Sequence, residues 1–246
     1  MSHGFQIITI PETISTNLLM QEWKKADRLK KGDLIRAINQ SAGLGQKGNY
    51  WESEADKNLT FSLFLETDFI EAADVFQLNK IISLSLLDYL TAKGISQVKI
   101  KWPNDMYVGT NKIAGMLTHN SFLGDKLENS IVGIGLNINQ TAFVSEAPNP
   151  VSLQQITGIV YDLEEELELL LQCIEQQFND FKNNEPIQLN INYLNNLYGY
   201  DENRRFKDSE GTFFGKIKGV DSFGRLLVKK NKGKLYTYDM KEIEFL

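Results

Sequence analysis

The stretch from Lys99 to Leu117, KIKWPNDMYVGTNKIAGML, holds the densest set of residues in the chain that could do chemistry. Pro103 fixes its own φ and drives Trp102 towards an extended backbone, so a strand is expected to end there. Asn104 and Asp105 then present side-chain acceptors at a corner, where such residues bond the local backbone. Gly109-Thr110-Asn111 has the composition of a tight hairpin connection. That hairpin would set Lys112 on the strand beside Asn104 and Asp105, with a cation facing a carboxylate and an amide across one ladder. Two arrangements fit. One is a β-meander with solvated charges, which the local signals alone favour. The other is a site for an anionic ligand, in which Lys112 neutralises developing charge while the Asn-Asp corner orients the ligand or a metal.

Three further stretches bear on the choice. Gln40-Ser41-Ala42-Gly43-Leu44-Gly45-Gln46-Lys47-Gly48 follows an expected strand at Asp33–Asn39 and contains Gly-x-Gly-x-x-Gly. A dinucleotide fingerprint needs a helix to open directly after the glycines. Here the chain runs instead through NYWESEADKN into a strand at Leu59–Leu65, with no helical apolar face. The stretch is therefore a surface loop or a backbone loop that closes over a carboxylate or phosphate, with Lys47 and free amide protons as donors. Ser15 or Thr16 is placed to cap a helix from about Asn17, with Leu18, Leu19 and Trp23 on its apolar face. Capping is the first reading of those hydroxyls, although a helix N-terminus also suits an anion. The strand Ser130–Asn139, SIVGIGLNIN, carries Gly133 and Gly135, which mark close approach by a ligand or by packed backbone. Asn137 and Asn139 are expected on one face of it.

The elements that must position these residues alternate in type. Phe5–Ile10 reads as a strand stopped by Pro11. Glu71–Lys93 is a helix with a stripe of Val75, Leu78, Ile82, Leu86, Tyr89 and Leu90, ending at Gly94. Strands follow at Val98–Trp102, Met106–Val108 and Ile113–His119. After a loop between Gln140 and Pro150 come a short helix at Ser152–Ile156, a long one at Asp162–Phe181 with an acidic first turn, and another near Leu189–Leu197. Cys173 is read as a packing residue. From about Asp201 the texture changes to four or five brief strands, separated by Glu-Gly, Asp-Ser-Phe-Gly and Asn-Lys-Gly turns. They suggest a small barrel that leans on the main domain for its core. The expected division is 1–198 and 199–246.

Composition excludes several classes. A net charge of -6 over 246 residues argues against broad nonspecific nucleic-acid binding, which needs excess Lys and Arg. A single cysteine rules out an internal disulfide and a cysteine-rich metal site. His3 and His119 are too far apart in sequence to suggest structural zinc. No apolar run is long enough to span a bilayer, and the first residues lack the pattern of a secretory signal. The expected compartment is the cytoplasm, with no membrane partner.

In order, Glu12 with Ser15-Thr16-Asn17, Gln40-Ser41-Ala42-Gly43-x-Gly-x-x-Gly48 with Trp51-x-Ser53, Lys101-Trp102-Pro103-Asn104-Asp105 with Lys112-x-Ala114-Gly115, and Gly133-Ile134-Gly135-Leu136-Asn137 resemble the biotin–protein ligases. The resemblance runs to about Asn139, and the C-terminal part is similar to the family's SH3-like domain. It implies an α+β fold with a mixed, largely antiparallel sheet flanked by helices, like class II aminoacyl-tRNA synthetases, followed by an SH3-like β-barrel. It implies that biotin and ATP give biotinyl-5′-AMP and pyrophosphate, after which a lysine of a biotin carboxyl carrier protein or domain takes the biotin. Lys112 would be the catalytic residue, beside the biotin carboxylate and the α-phosphate. Biotin would meet Ser15, Thr16, Asn17 and Gln40, then Gly43, Leu44, Gly45 and Gln46, and also Lys112, Gly115 and Gly133. ATP would meet Gln46, Lys47, Gly48 and Trp51, then Asn104, Asp105, Lys112 and Asn137. Mg2+ would accompany the nucleotide, with its protein ligands unassigned.

Relatives that double as repressors carry a preceding helix-turn-helix domain, for which there is no room before Ser15, so direct DNA binding is not expected. Monomer and homodimer are both open. A lipoate–protein ligase and a non-catalytic binder of biotin or nucleotide are the competing readings. One residue departs from the family pattern: Leu44 stands where the loop normally carries an arginine, within Gly-Arg-Gly. Leu44→Arg is expected to slow release of biotinyl-adenylate relative to the native chain. Equal release rates would remove any role for this position in retention.

Overall fold

The first strand, β1 (Gln6–Thr13), does not stop at Pro11 but runs through it. It is an edge strand, paired in parallel with β2 (Asp33–Gln40) and, among the described residues, with no strand on its other side. Gln6 N–H donates inward to Gly32 at 2.9 Å, so by alternation the nitrogen of Pro11 faces away from the ladder, where a missing donor costs nothing. In this computed structural model the described residues are 4–145, 149–183, 186–231 and 233–246, without the side chain of Lys47. His3, residues 146–148 of the expected loop and Lys232 of the last expected turn lie outside them.

Helix α1 (Thr16–Lys25) begins one residue earlier than expected, after Ser15. Its buried residues are Thr16, Asn17 and Met20, while Leu18 is exposed and Leu19 and Trp23 are partly buried. The inward face is thus half polar, because α1 covers both a patch of core and a cavity. The short hairpin strands β3 (Gly43–Leu44) and β4 (Tyr50–Trp51) precede β5 (Leu59–Glu66). A single turn of 3-10 helix over Ala72–Asp74 then leads into α2 (Phe76–Ala92), which starts later than the periodicity predicts. Of its 17 residues 13 are buried, so α2 is enclosed nearly all round rather than along one stripe. Gly94 closes it in the left-handed conformation, φ 75°.

Strands β6 (Val98–Lys101), β7 (Asp105–Val108), β8 (Asn111–Leu123) and β9 (Lys126–Leu136) complete a seven-stranded sheet of order β1-β2-β5-β9-β8-β7-β6. Only the β1–β2 pair is parallel, as the expected mixed, largely antiparallel sheet requires. Strand β9 ends at Leu136, so Asn137 and Asn139 lie beyond it and do not share a strand face. Their amides instead donate to the carbonyls of Val151 and Tyr161, tying down the chain that follows. Helix α3 (Leu153–Thr157) opens on a reciprocal cap between Ser152 and Gln155. Helices α4 (Leu163–Asn183) and α5 (Pro186–Asn195) pack against α2 on one face of the sheet. Helix α1 covers part of the other face, over Ile35 and Ile131.

The C-terminal strands β10 (Arg204–Asp208), β11 (Gly211–Val220), β12 (Leu226–Lys230), β13 (Leu235–Tyr238) and β14 (Glu244–Phe245) form an antiparallel sheet of order β13-β12-β11-β10-β14. Its Phe206, Ile217, Leu226 and Val228 belong to the same buried cluster as the main sheet, so it does lean on that core. The turn before β12 is the point of attachment. Trp102 Nε1 donates to Gly224 O at 2.7 Å, and Phe76 N–H donates to Ser222 O at 3.1 Å. Gly224 has φ 93°, and a Cβ there would lie 2.5 Å from the Phe76 ring, so only glycine fits. No helix among the described residues is long and apolar enough to cross a membrane.

Lys80 sits at this seam, 5% exposed, with its ammonium on the Asn190 side-chain oxygen and over the rings of Phe76 and Tyr193. Burial pulls its pKa down to about 8, against the opposing pull of Asp74 and Asp221. A lysine whose folded pKa is depressed binds fewer protons folded than unfolded, so its contribution rises with pH between the two values. Lys80→Met is therefore expected to stabilise the fold at pH 7, by about 2 kcal/mol. It should also flatten the gain in stability that the native chain shows between pH 8 and 10. Thermal melts at the two pH values measure both; a variant less stable at pH 7 would reject this account.

Candidate active site

The ladder between β7 and β8 pairs Asp105 with Gly115 and Met106 with Ala114, but then Tyr107 with Lys112. The slip leaves Ile113 without an opposite residue. In an unbroken ladder Lys112, three residues from Gly115, would project from the opposite face. The bulge returns it to Gly115's face and to Asp105, whose Oδ1 lies 2.8 Å from Lys112 Nζ. Ile113 turns into the core instead, fully buried. The expected facing of cation and carboxylate is present. Asn104 closes the corner from behind, its amide donating to Met116 O while Met116 N–H donates to Asn104 O at 3.0 Å.

Next to this pair the sheet has a trough floored by glycines. Gly115 and Gly135 are direct ladder partners, and Gly133 pairs with Leu117 on one side and Ser62 on the other. The trough is entered by the chain's own side chains. A Cβ at Gly135 would lie 2.3 Å from Trp51 Cε2, and one at Gly115 would lie 3.2 Å from Trp51 Cζ3. Trp51 Nε1 is buried without a hydrogen-bond partner, and Lys112 Nζ is 5.6 Å from the Trp51 ring centroid. At the far end Gly133 admits Asn17, whose Nδ2 would be 2.9 Å from a Cβ.

The N-terminus of α1 faces this trough. Ser15 has the extended backbone of an N-cap, yet its hydroxyl makes no capping bond, so the first reading of that residue does not hold. Gln40, at the end of β2, supplies the acceptor instead. Its Oε1 takes Thr16 N–H at 2.9 Å and Thr16 Oγ1 at 3.3 Å, and Thr16 Oγ1 also meets Ser62 Oγ at 2.9 Å. Ser15 is thereby left buried at 2% exposure, with its hydroxyl available to something in the cavity.

The glycine loop folds as a miniature hairpin, Gly43 pairing Trp51 and Leu44 pairing Tyr50. Gly43 is squeezed between the Gln40 amide and Trp51 O, where a Cβ would lie 2.4 and 2.7 Å from them. Glu52 then ties the hairpin to the loop after Asn139, accepting Val144 N–H at 2.9 Å and Ser145 N–H at 2.8 Å. Burial raises its carboxyl pKa, but the bonds from Ser145, Val144 and Gln140 outweigh that and leave it below the ordinary value. Beside Asp105, burial lowers the Lys101 ammonium against the opposing charges of Asp105 and Tyr198.

These parts enclose a cavity of about 250 Å3. Its wall includes Ser15, Thr16, Asn17 and Gln40; Leu44, Gly45, Gln46 and Trp51; and Asn104, Asp105, Lys112, Gly115 and Gly133. Three of the described residues predicted from sequence, Gly43, Gly48 and Asn137, are not in that wall. Gly43 and Gly48 belong to the hairpin, and the side chain of Lys47 is outside the described residues. Asn137 lines a smaller neighbouring cavity of about 40 Å3, shared with Trp51 and Lys112. Its Nδ2 is used on Val151 O at 3.0 Å, while its Oδ1 is buried with no partner. Sequence reasoning missed Asn49, Tyr50, Met240 and Lys241. The last two come from the C-terminal sheet, and no local pattern announces them. No group of three or more His, Cys, Asp or Glu among the described residues could hold a metal.

A partly buried lysine–carboxylate pair, a glycine floor and a polar helix start thus meet around one cavity. Comparison with known proteins places the chain in a family. Residues 8–137 match the model of the biotin/lipoate A/B protein ligase family, and residues 205–244 match the biotin protein ligase C terminal domain. The chain belongs to the biotin/lipoate A/B protein ligase family. It is 34% identical over 167 residues to a biotin–[acetyl-CoA-carboxylase] ligase of Paracoccus denitrificans, covering 65% of this chain and 68% of that one. It is 30% identical over 215 residues to the bifunctional ligase/repressor BirA of Bacillus spizizenii, covering 85% of this chain and 66% of that one. The chain thus spans about two thirds of the length of these relatives. The biotin protein ligase from Aquifex aeolicus, solved in complex with biotin and ATP, superposes with a TM-score of 0.80 at 26% identity, over 98% of both chains.

The contact between Trp51 and the glycine floor can be tested directly. Gly135→Ala is expected to destabilise the fold by about 1–3 kcal/mol, as overpacking does. The penalty should largely vanish when Trp51→Ala is made in the same chain. Additive losses in the double variant would show that the ring does not sit on Gly135.

Proposed function

We propose that this protein is an ATP-dependent biotin–protein ligase, which forms biotinyl-5′-AMP and passes the biotinyl group to a lysine of a biotin carboxyl carrier protein or domain. The observation that carries the proposal is Lys112, held by Asp105 beside the glycine trough and within one cavity of the Ser15–Thr16–Gln40 cluster. In the first step a carboxylate oxygen of biotin attacks the α-phosphorus of ATP and pyrophosphate leaves. Two anions must meet, so an ammonium between them lowers the barrier, and one fixed in advance lowers it most. Asp105 provides that fixing. In the second step the neutral amine of the acceptor lysine attacks the carbonyl of the mixed anhydride, AMP leaves, and the amide loses its extra proton. Neither step needs a covalent enzyme intermediate.

The cluster at the start of α1 suits the cyclic urea of biotin, which offers both N–H donors and a carbonyl acceptor. Ser15 Oγ, Thr16 Oγ1 and the Gln40 amide can answer both kinds of group. At the other end, the orphan Asn137 Oδ1 is an acceptor suited to an amino group of a purine, and Trp51 supplies a flat aromatic surface. Magnesium would arrive with the nucleotide and share its phosphate charge, with Asp105 the one carboxylate among the described residues of the cavity wall. In this reading residues 1–198 carry the chemistry and 199–246 form the second unit. The family model also covers lipoate ligases. A dithiolane ring, however, makes no use of a hydroxyl and an amide at the closed end of a pocket.

Incubation with biotin, ATP, Mg2+ and a biotin carrier domain should add one biotinyl mass to a single acceptor lysine. Lys112→Ala is expected to lower the rate of adenylate formation by about 100-fold or more. Biotin should outcompete lipoate in ATP–pyrophosphate exchange; preference for lipoate would reassign the substrate, and no exchange with either acid would reject the ligase reading.

A further inference from the structure

From Thr141 to Ser145 the chain has no regular secondary structure and runs beside the small cavity, which Phe143 and Ser145 line. Its root is fixed by the buried Gln140, whose Oε1 accepts Glu54 N–H at 2.9 Å and whose Nε2 donates to Ala142 O at 2.8 Å. Beyond Ala142 that anchoring ends. Val144 is 91% exposed, so burial of its side chain does not hold the segment. What does hold it is the carboxylate of Glu52, 92 residues away in sequence. Two successive amides converge there, Val144 N–H on Oε1 at 2.9 Å and Ser145 N–H on Oε2 at 2.8 Å. Gln140 Nε2 adds a third bond at 3.2 Å.

An acid in this place is electrostatically costly. Glu52 lines the small cavity together with Trp51, Lys112 and Asn137, at the nucleotide end of the site. A carboxylate there opposes a polyanion through space, and more strongly as water is excluded. The donors it engages are uncharged, so no ion pair offsets the cost. The gain has to lie in what it holds. Hydrogen bonds to an ionised acceptor are the strong kind, and here each oxygen of one carboxylate takes a different backbone amide. Trp51, the preceding residue, lines both cavities. Glu52 therefore fastens the segment that carries Phe143 to the hairpin that carries Trp51.

We propose that Glu52 is a positioning residue for the nucleotide: it pins Val144 and Ser145 against the hairpin and so sets the shape of the small cavity. It touches no reacting atom and acts through the two amides it holds. This rests on the ATP-dependent reading given above. The Ser15–Thr16–Gln40 cluster at the start of α1 takes no part in the contact, so the two ends of the site are separable in experiment.

The test uses the full chain with Glu52→Gln and Glu52→Ala, and α,β-methylene-ATP as the probe in the presence of Mg2+ and biotin. Removing a negative charge from the cavity wall should, by electrostatics alone, tighten the binding of a polyanion. Loss of the fastening predicts the opposite sign. Both variants should bind the analogue about tenfold more weakly, the scale of one charge-assisted hydrogen bond. Glutamine is the sharper probe, because it keeps the shape and presents an NH2 group to one of the two amide protons. The affinity for biotin alone and the melting temperature should stay at their native values. Equal or tighter nucleotide binding in either variant overturns the proposal. So does a parallel loss of biotin affinity, which would mean that the contact only supports the hairpin. If the native chain binds the analogue yet shows no biotin-dependent ATP–pyrophosphate exchange, the ligase reading fails while the comparison still decides the role of Glu52. A native chain that binds no nucleotide overturns both.

Discussion

A one-residue slip in a β-ladder decides which side of the sheet the principal cation faces. Side chains alternate along a strand, so Lys112 and Gly115 would lie on opposite faces of a regular β8. Because Tyr107 pairs with Lys112 rather than with Ile113, the lysine returns to the glycine face and Ile113 enters the core. The gain is twofold. Burying Ile113 supplies apolar packing that holds the slipped register in place, and Asp105 meets the ammonium at contact distance. Shifting that register by one residue would turn the isoleucine out to the cavity and the lysine into the apolar interior, and both changes are unfavourable.

The polar end of the cavity depends on a similar exchange of duties. A helix start must find acceptors for its first amide protons, and Ser15 is the residue of the usual type to provide one. Gln40 does so from a different strand, 24 residues away, and Thr16 shares the acceptor. The same bond that completes α1 therefore locks the end of β2 against it and leaves the serine hydroxyl uncommitted. Tertiary structure has replaced a local bond with a distant one, and the local group becomes part of the cavity wall.

This pattern marks the boundary of what the chain discloses before it is folded. The hairpin at Gly109, the failure of the glycine loop to open a helix, the Gly94 stop and the acidic start of α4 all rest on short-range stereochemistry, and all are present in the fold. The C-terminal strands were legible for the same reason. Pro11 was misleading because its effect depends on whether a strand is at an edge, which only the sheet order decides. Helix α2 read as a stripe because periodicity cannot tell a one-sided helix from one enclosed by α4, α5 and the C-terminal turn. The bulge at Ile113, the end of β9 before Asn137 and the arrival of Met240 and Lys241 at the cavity are relations between distant segments. The resemblance to a family pointed to most of the cavity wall, but not to the contribution from the last strands.

The position of Pro11 has a consequence for the molecule in solution. An outer strand offers a row of unpaired amide protons to any other extended chain, and the ring nitrogen of Pro11 interrupts that row. The opposite border of the sheet is blunted differently. There Ile100 N–H donates to Asn196 O at 2.9 Å and Tyr198 N–H donates to Ile100 O at 2.8 Å, so the connecting segment after α5 lies along β6. Each border of the seven-stranded sheet is thus interrupted as a template for a longer one. A chain that opens a polar, glycine-floored hollow on its sheet therefore leaves fewer unpaired backbone groups along the sheet's two borders.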